Sequence, residues 1–266
     1  MSDSAFRSAS AVTRRGFLSL LVAGGVAAAA QTVPASRGSA GPKIRALAFD
    51  AFPILDPRPV FSLAEQLFPG RGADLSSVWR TRQFEYQWLR ALSGRYADFQ
   101  KTTEDALVFA AAMIRLDLTP DKRRRLMGAY LELRAWPDVA RTLRSLRDDG
   151  IRFAFLSNAT PAILHAGIRN SGLAGVFEHV LSTDSIKTYK PDPRAYRMAI
   201  DAFGLAREEI AFVAFAGWDA AGAKSFGYPT FWANRLDLPA EELGAPPDAI
   251  GKSLDDLLTY MRSPQR

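Results

Sequence analysis

The chain has 266 residues, 48% of them hydrophobic, which is enough for one α/β domain with an insertion and a sizeable buried core. It has no cysteine, so disulfides, zinc–thiolate sites and a cysteine nucleophile are excluded. Half of the formal charge of +6 sits in residues 1–40; beyond them 30 bases face 27 acids, and the one basic run, Lys122–Arg125, reads as a solvated helix face, so nucleic-acid binding has little support.

At the N-terminus a polar stretch runs into Arg14-Arg15, then Phe17-Leu18, an apolar run from Gly16 to Ala30, and small residues suited to signal peptidase. This resembles a twin-arginine export signal. It implies the twin-arginine machinery as a partner, folding before export and a periplasmic destination, with cleavage after Ala30, Ala35 or Ala40. The apolar run is short of the ~20 residues of an ordinary transmembrane helix. A disordered tail and an uncleaved anchor are the alternatives. Residues 1–40 are set aside from the fold as signal and linker.

Ile44–Asp50 (IRALAFD) is a short apolar run ending in a carboxylate, the pattern of a buried parallel strand. A long insertion follows, whose stretches Leu63–Phe68, Ser76–Leu92, Lys101–Leu116 and Asp121–Arg134 have helical spacing; it reads as a cap over the strand ends, residues 59–136. Ile151–Ser157, His179–Ser182, Ile210–Ala216 and Pro229–Ala233 are further strand candidates. Helical stretches separate them: Pro137–Asp149, Pro161–Ser171, Pro193–Phe203 and Asp219–Phe226, each followed by a glycine within a residue or so. From Leu236 the chain reads as a loop and then a short helix, Ser253–Met261. Alternating strands and helices predict an α/β fold with a doubly wound parallel sheet, its core formed by residues 41–58 and 137–266.

Ligands of such sheets gather at the carboxyl ends of the strands, where Asp50, Ser157 and Asp219 fall. Along the chain come a carboxylate (Asp50), a hydroxyl and amide (Ser157-Asn158), an ammonium (Lys190) and a second carboxylate (Asp219). A nucleophilic carboxylate needs a fixed position, a nearby cation and donors for the charge of its substrate, and this set supplies each. A strand-end Asp is on its own more often a cap or turn former. The two histidines, His165 and His179, lack metal-ligand spacing, which makes a Ser-His-Asp triad an unpromising reading.

The succession FDAF (Phe49–Phe52), LSN (Leu156–Asn158), YKPD (Tyr189–Asp192) and WDAAGA (Trp218–Ala223) resembles the haloacid dehalogenase superfamily. The insertion sharpens the match: FPGRG (Phe68–Gly72), WRTRQFEYQWLRAL (Trp79–Leu92) and GRYADF (Gly94–Phe99) are similar to the type II (S)-2-haloacid dehalogenases. The resemblance implies a Rossmann-like core with a helical cap and hydrolysis of short 2-haloalkanoic acids to 2-hydroxy acids through an aspartyl ester. It implies Asp50 as nucleophile, Arg80 at the departing halide, Lys190 balancing the charge of Asp50, and Asp219 orienting Lys190 and the water. Ser157 and Asn158, with backbone N–H groups after Asp50, would hold the substrate carboxylate; Phe52, Phe99, Tyr196 and Trp218 would form pocket walls. Relatives of this kind are commonly homodimers. Phosphatase relatives carry a second Asp two residues after the nucleophile, where Phe52 stands here, and an acidic cluster near the last motif, where VAFAG (Val213–Gly217) has none. With so few oxygen ligands no metal and no other cofactor is expected.

The sequence also departs from the pattern it resembles. Phe52-Pro53-Ile54 stands where Tyr-Gly-Thr is usual, and Ala214 and Ala216 where Ser and Asn are usual. Each lost hydrogen bond to a charged group is worth about 1.5–3 kcal/mol, and about 1.4 kcal/mol is a factor of ten in rate. Impaired ester hydrolysis is therefore an expectation. Two other readings stay open: an exported relative with weakened or lost catalysis that binds a small carboxylate, and a hydrolase of the same superfamily acting on another substrate.

Overall fold

β1 (Ala46–Phe49) is four buried residues, ALAF, and its position explains that composition: it is hydrogen-bonded on both sides and covered on both faces. The computed structural model describes residues 43–263, so the export signal expected over residues 1–40 lies outside the described residues. β1 pairs in parallel with β2 (Arg152–Ser157), Ala46 opposite Arg152, and with β4 (Ile210–Ala214), Ala46 opposite Ile210. β3 (His179–Ser182) adds outside β2; β5 (Thr230–Ala233) and then β6 (Ala249–Gly251) add outside β4. The result is the expected parallel sheet, in the order β3-β2-β1-β4-β5-β6. The winding reverses at β1, so the crevice beyond the ends of β1, β2 and β4 is where a ligand site belongs.

Asp50 follows β1 and caps a single helical turn, α1 (Ala51–Ile54). The insertion holds α2 (Arg58–Leu67), α3 (Gly72–Leu92), α4 (Phe99–Met113) and α5 (Pro120–Gly128), which runs into a 3-10 turn at Ala129–Leu131. α2 starts at Arg58 instead of Leu63 because Pro59 sits in its first turn, where a missing N–H is not needed. The last helical stretch does not continue to Arg134. The carbonyls of Leu131 and Leu133 instead accept Asn170 Nδ2, at 2.9 and 3.2 Å. The inserted helices are tied to the loop after β3: Trp88 Nε1 donates to Lys190 O (3.1 Å), Tyr189 Oη to Ala97 O (2.5 Å) and Tyr96 Oη to Asp184 (2.9 Å).

Alternate strand residues enter two cores. Leu47, Phe49, Phe153, Phe155 and Val213 join α6 (Val139–Asp148), α7 (Pro161–Asn170) and α10 (Leu254–Arg262). Ala46, Ala48, Ala154, Leu156 and Phe212 join α8 (Pro193–Phe203) and α9 (Gly217–Phe226). The loop expected from Leu236 contains β6. This strand has three residues on the sheet edge, with Ile250 53% exposed, and so carries no apolar pattern that would announce it. Its identity comes from pairing with β5. Among the described residues no helix is long and apolar enough to cross a membrane.

Candidate active site

Three strand ends and one loop bring four of the expected residues into direct contact. Asp50, 8% exposed, uses Oδ2 to accept the N–H of Phe52 (3.3 Å) as cap of α1, which fixes the carboxylate against the strand end. Its Oδ1 accepts Lys190 Nζ at 2.9 Å and Ser157 Oγ at 3.1 Å. Ser157 Oγ accepts the N–H of Ala159 (3.2 Å), so its own proton goes to Asp50. Lys190, fully buried, also donates to Asp219 Oδ2 at 2.5 Å. One ammonium thus sits between two carboxylates.

Burial alone would push the Lys190 ammonium down, but Asp219 and Asp50 more than offset it and hold the group above the ordinary lysine range. Burial pushes Asp219 up to about 6; Lys190 opposes the shift and the charge of Asp50 adds to it. Asp219 lies in the first turn of α9, where the helix N-terminus favours negative charge, and its Oδ1 accepts Tyr196 Oη at 2.7 Å.

Arg80 lies on α3, and its guanidinium lines the same cavity as Asp50. Among the described residues it makes no hydrogen bond or ion pair. Its guanidinium sits over the rings of Phe215 (5.6 Å) and Phe84 (5.9 Å), and burial lowers its pKa from the usual arginine value. Asp50 acts on it only through space, and a buried guanidinium with no hydrogen-bond partner is ready to receive an anion.

Phe52, Phe99 and Trp218 line the cavity as expected of wall residues, and Ser157 and Asn158 line it too. Tyr196 does not. It is fully buried in the core beneath the sheet, edge-on to Phe212, and reaches the site only through its bond to Asp219. The pocket-wall placement of Tyr196 is therefore corrected to a support of Asp219. Gly222 is part of that arrangement, because a Cβ there would lie 2.5 Å from the Tyr196 hydroxyl.

Of the departing residues only Phe52 and Ala216 line the cavity; Pro53, Ile54 and Ala214 do not. The carbonyl of Pro53 accepts two bonds from Arg235, Nε at 3.1 Å and Nη2 at 2.9 Å, and the carbonyl of Phe52 accepts Trp136 Nε1 at 3.0 Å. Arg235 is also paired with Asp138 (3.0 Å) and stacked on Trp136 (4.7 Å). This clamp on the nucleophile turn was not among the expected residues. Nor were Phe61, Phe84, Gln87, Tyr130 and Phe215, all of which line the cavity. Helical spacing from Arg80 is a signal that reaches Phe84 and Gln87, since residues three and four apart share a face. Among the described residues no group of three or more His, Asp or Glu side chains is placed to hold a metal.

The family model for haloacid dehalogenase-like hydrolases matches residues 24–227. Haloacetate dehalogenase H-2 of Moraxella sp. (strain B) is 44% identical over 81% of this chain and 97% of its own length. The (S)-2-haloacid dehalogenase of Pseudomonas sp. (strain YL) is 44% identical over 77% of this chain and 89% of its own length. Among solved structures, an L-2-haloacid dehalogenase superposes with a TM-score of 0.81 at 42% identity, covering 83% of this chain and 100% of the other. The L-2-haloacid dehalogenase of Xanthobacter autotrophicus with covalently bound chloropropionic acid superposes with a TM-score of 0.74 at 32% identity, covering 83% and 99%.

Proposed function

The chain belongs to the haloacid dehalogenase-like hydrolases and, within them, to the 2-haloacid dehalogenases, and from that premise we propose how its own residues divide the reaction. The chain is a hydrolase of the carbon–halogen bond in 2-haloalkanoic acids. Asp50 Oδ2, which among the described residues accepts only the N–H of Phe52, attacks the halogen-bearing carbon; the C–O bond forms as the C–X bond breaks, and the halide leaves toward Arg80. Inversion follows from the in-line geometry, and the product is an ester of Asp50. Lys190 stabilises the carboxylate before attack. Water then adds to the ester carbonyl carbon and passes one proton to Asp219; the bond between that carbon and the ester oxygen breaks, the departing alkoxide takes that proton back from Asp219, and the second water proton goes to solvent. Asp50 returns with one oxygen from water, and a 2-hydroxy acid departs.

One observation carries this division: a buried carboxylate braced by Lys190 and Ser157 lines the same aromatic cavity as an unpaired guanidinium. A single turnover of (S)-2-chloropropionate in ¹⁸O-water tests it. Chloride should appear, and the peptide containing Asp50 should carry the label. Chloride release with label only in the hydroxy acid would mean direct attack by water and no ester.

The alanine at position 216 favours an addition to this reading. It lines the cavity but offers no side-chain hydrogen bond, so Asp219 is the carboxylate left to position the attacking water, and ester hydrolysis is the slower step.

Residues 1–40 direct the chain through the twin-arginine route to the periplasm; the support is Arg14-Arg15 ahead of Phe17-Leu18 and the apolar run to Ala30. Changing both arginines to lysine in the full chain should leave the precursor in the cytoplasm. Undiminished periplasmic dehalogenase in that variant would remove the assignment.

A further inference from the structure

Asn158 fixes the orientation of a neighbour that the reaction scheme above leaves unused. Its Oδ1 accepts the backbone N–H of Lys190 at 2.9 Å and the hydroxyl of Thr183 at 3.2 Å. A backbone N–H only donates, so that edge of the amide is oxygen and the other edge is NH₂. The NH₂ donates to Gln87 Oε1 at 3.1 Å. Gln87 therefore turns its oxygen to Asn158, and its own NH₂ is left over. That group is buried without a partner, and Gln87, itself fully buried, lines the cavity beside Asn158, Ser157 and Asp50.

A buried donor of this kind calls for an acceptor, and a cavity occupant can supply one. Gln87 and Arg80 lie on the cavity face of α3 two helical turns apart, about 10 Å along the axis. A 2-haloacid has two ends that need polar contacts, its halogen and its carboxylate. We propose that Gln87 is the specificity-determining residue for the carboxylate: Nε2 donates to a carboxylate oxygen while Arg80 faces the halogen. The inference rests on the dehalogenase reading. Ser157 gives its hydroxyl proton to Asp50, and Asn158 spends its oxygen on Lys190 and Thr183 and one N–H on Gln87, whereas both protons of Gln87 Nε2 are unspent.

Gln87→Glu is the informative variant, because it keeps an acceptor for Asn158 and puts a negative oxygen where the donor stood. Propionate, an unreactive carboxylate, should bind the variant ~10- to 100-fold more weakly than wild type, the range for a hydrogen bond to a charged group. KM for 2-chloropropionate should rise in parallel while kcat changes much less, and bromide inhibition, read at Arg80, should persist. A folded variant with propionate affinity within about twofold of wild type would overturn the inference. So would equal losses of propionate and bromide binding with a lowered melting temperature, the mark of a merely structural role. If Gln87→Glu does not fold, Gln87→Met carries the same measurements with the same outcomes. A wild-type protein that releases no halide but binds propionate through Gln87 would sink the dehalogenase reading and support this one.

Discussion

Lys190→Met should lower kcat/KM for (S)-2-chloropropionate by about 10³-fold, since breaking a buried charge network costs about 3–5 kcal/mol and each 1.4 kcal/mol is tenfold in rate. Lys190 Nζ is the hydrogen-bonding cation between Asp50 Oδ1 and Asp219 Oδ2, and it is fully buried. Without it two carboxylates share a low-dielectric site and cannot both stay ionised. Whichever is protonated, a step fails: a neutral Asp50 does not displace halide, and a neutral Asp219 does not take the proton of water. The wild-type pH profile follows from the same geometry. Asp219 titrates near 6. The hydrolytic step needs its carboxylate form, and the ester lacks the Asp50 charge that adds to this shift, so kcat should stay level down to about that pH and fall about tenfold per unit beginning below it. In the methionine variant the descending limb should move to higher pH, because the cation that opposed the rise is gone. Stopped-flow halide release and steady-state rates from pH 5 to 9 separate the two steps. A variant with its limb unmoved would show that Lys190 does not control these carboxylates.

Arg235→Met should cost stability on a similar scale, about 3–5 kcal/mol, or roughly 10 °C in melting temperature for a domain of this size. The Arg235 side chain is 5% exposed and that of Asp138 is 13% exposed, so the variant leaves a buried carboxylate without its cation. It also leaves the Pro53 carbonyl, at the end of the nucleophile turn, without its two donors. Asp138 keeps one bond, from the N–H of Leu254 at 2.7 Å, and this holds the loss short of complete unfolding. Thermal and urea denaturation measure the effect. Removing both charges, Arg235→Met with Asp138→Leu, should recover part of it, because the penalty is for the charge left alone. A double variant no more stable than the single one would place the cost in lost packing on Trp136 instead.

These two residues also mark the limit of what the sequence makes legible. Lys190 was readable because it follows Asp50 and Ser157 in a recurring order of motifs, the first two of which end strands whose apolar runs are visible. The sheet itself was readable for the same reason: four of its strands, β1, β2, β4 and β5, are buried on both faces and look it. Arg235 was not readable. It lies in an irregular segment after β5 and meets Pro53 across 182 residues, and no periodicity links two loops. The resemblance implies a wall position for Tyr196, but its place on α8 turns it toward the core under the sheet. Gln87 was written in the helical spacing from Arg80. What hid it is that the state of its amide depends on a backbone N–H at Lys190, a fact of three dimensions.

The sheet order sets a schedule for synthesis. β1 leaves the ribosome first yet occupies the middle of the sheet, and Asp50 meets Ser157 across 107 residues and Lys190 across 140. Nearly the whole polypeptide must therefore be made before the centre can close, and loop entropy must be met before any pairing rewards it. Until β4 arrives, β1 has at most β2 beside it, and its other edge stays open to holdase chaperones and to self-association. Premature termination upstream of β4 yields no partly working fragment, only a chain whose central strand lacks one flank.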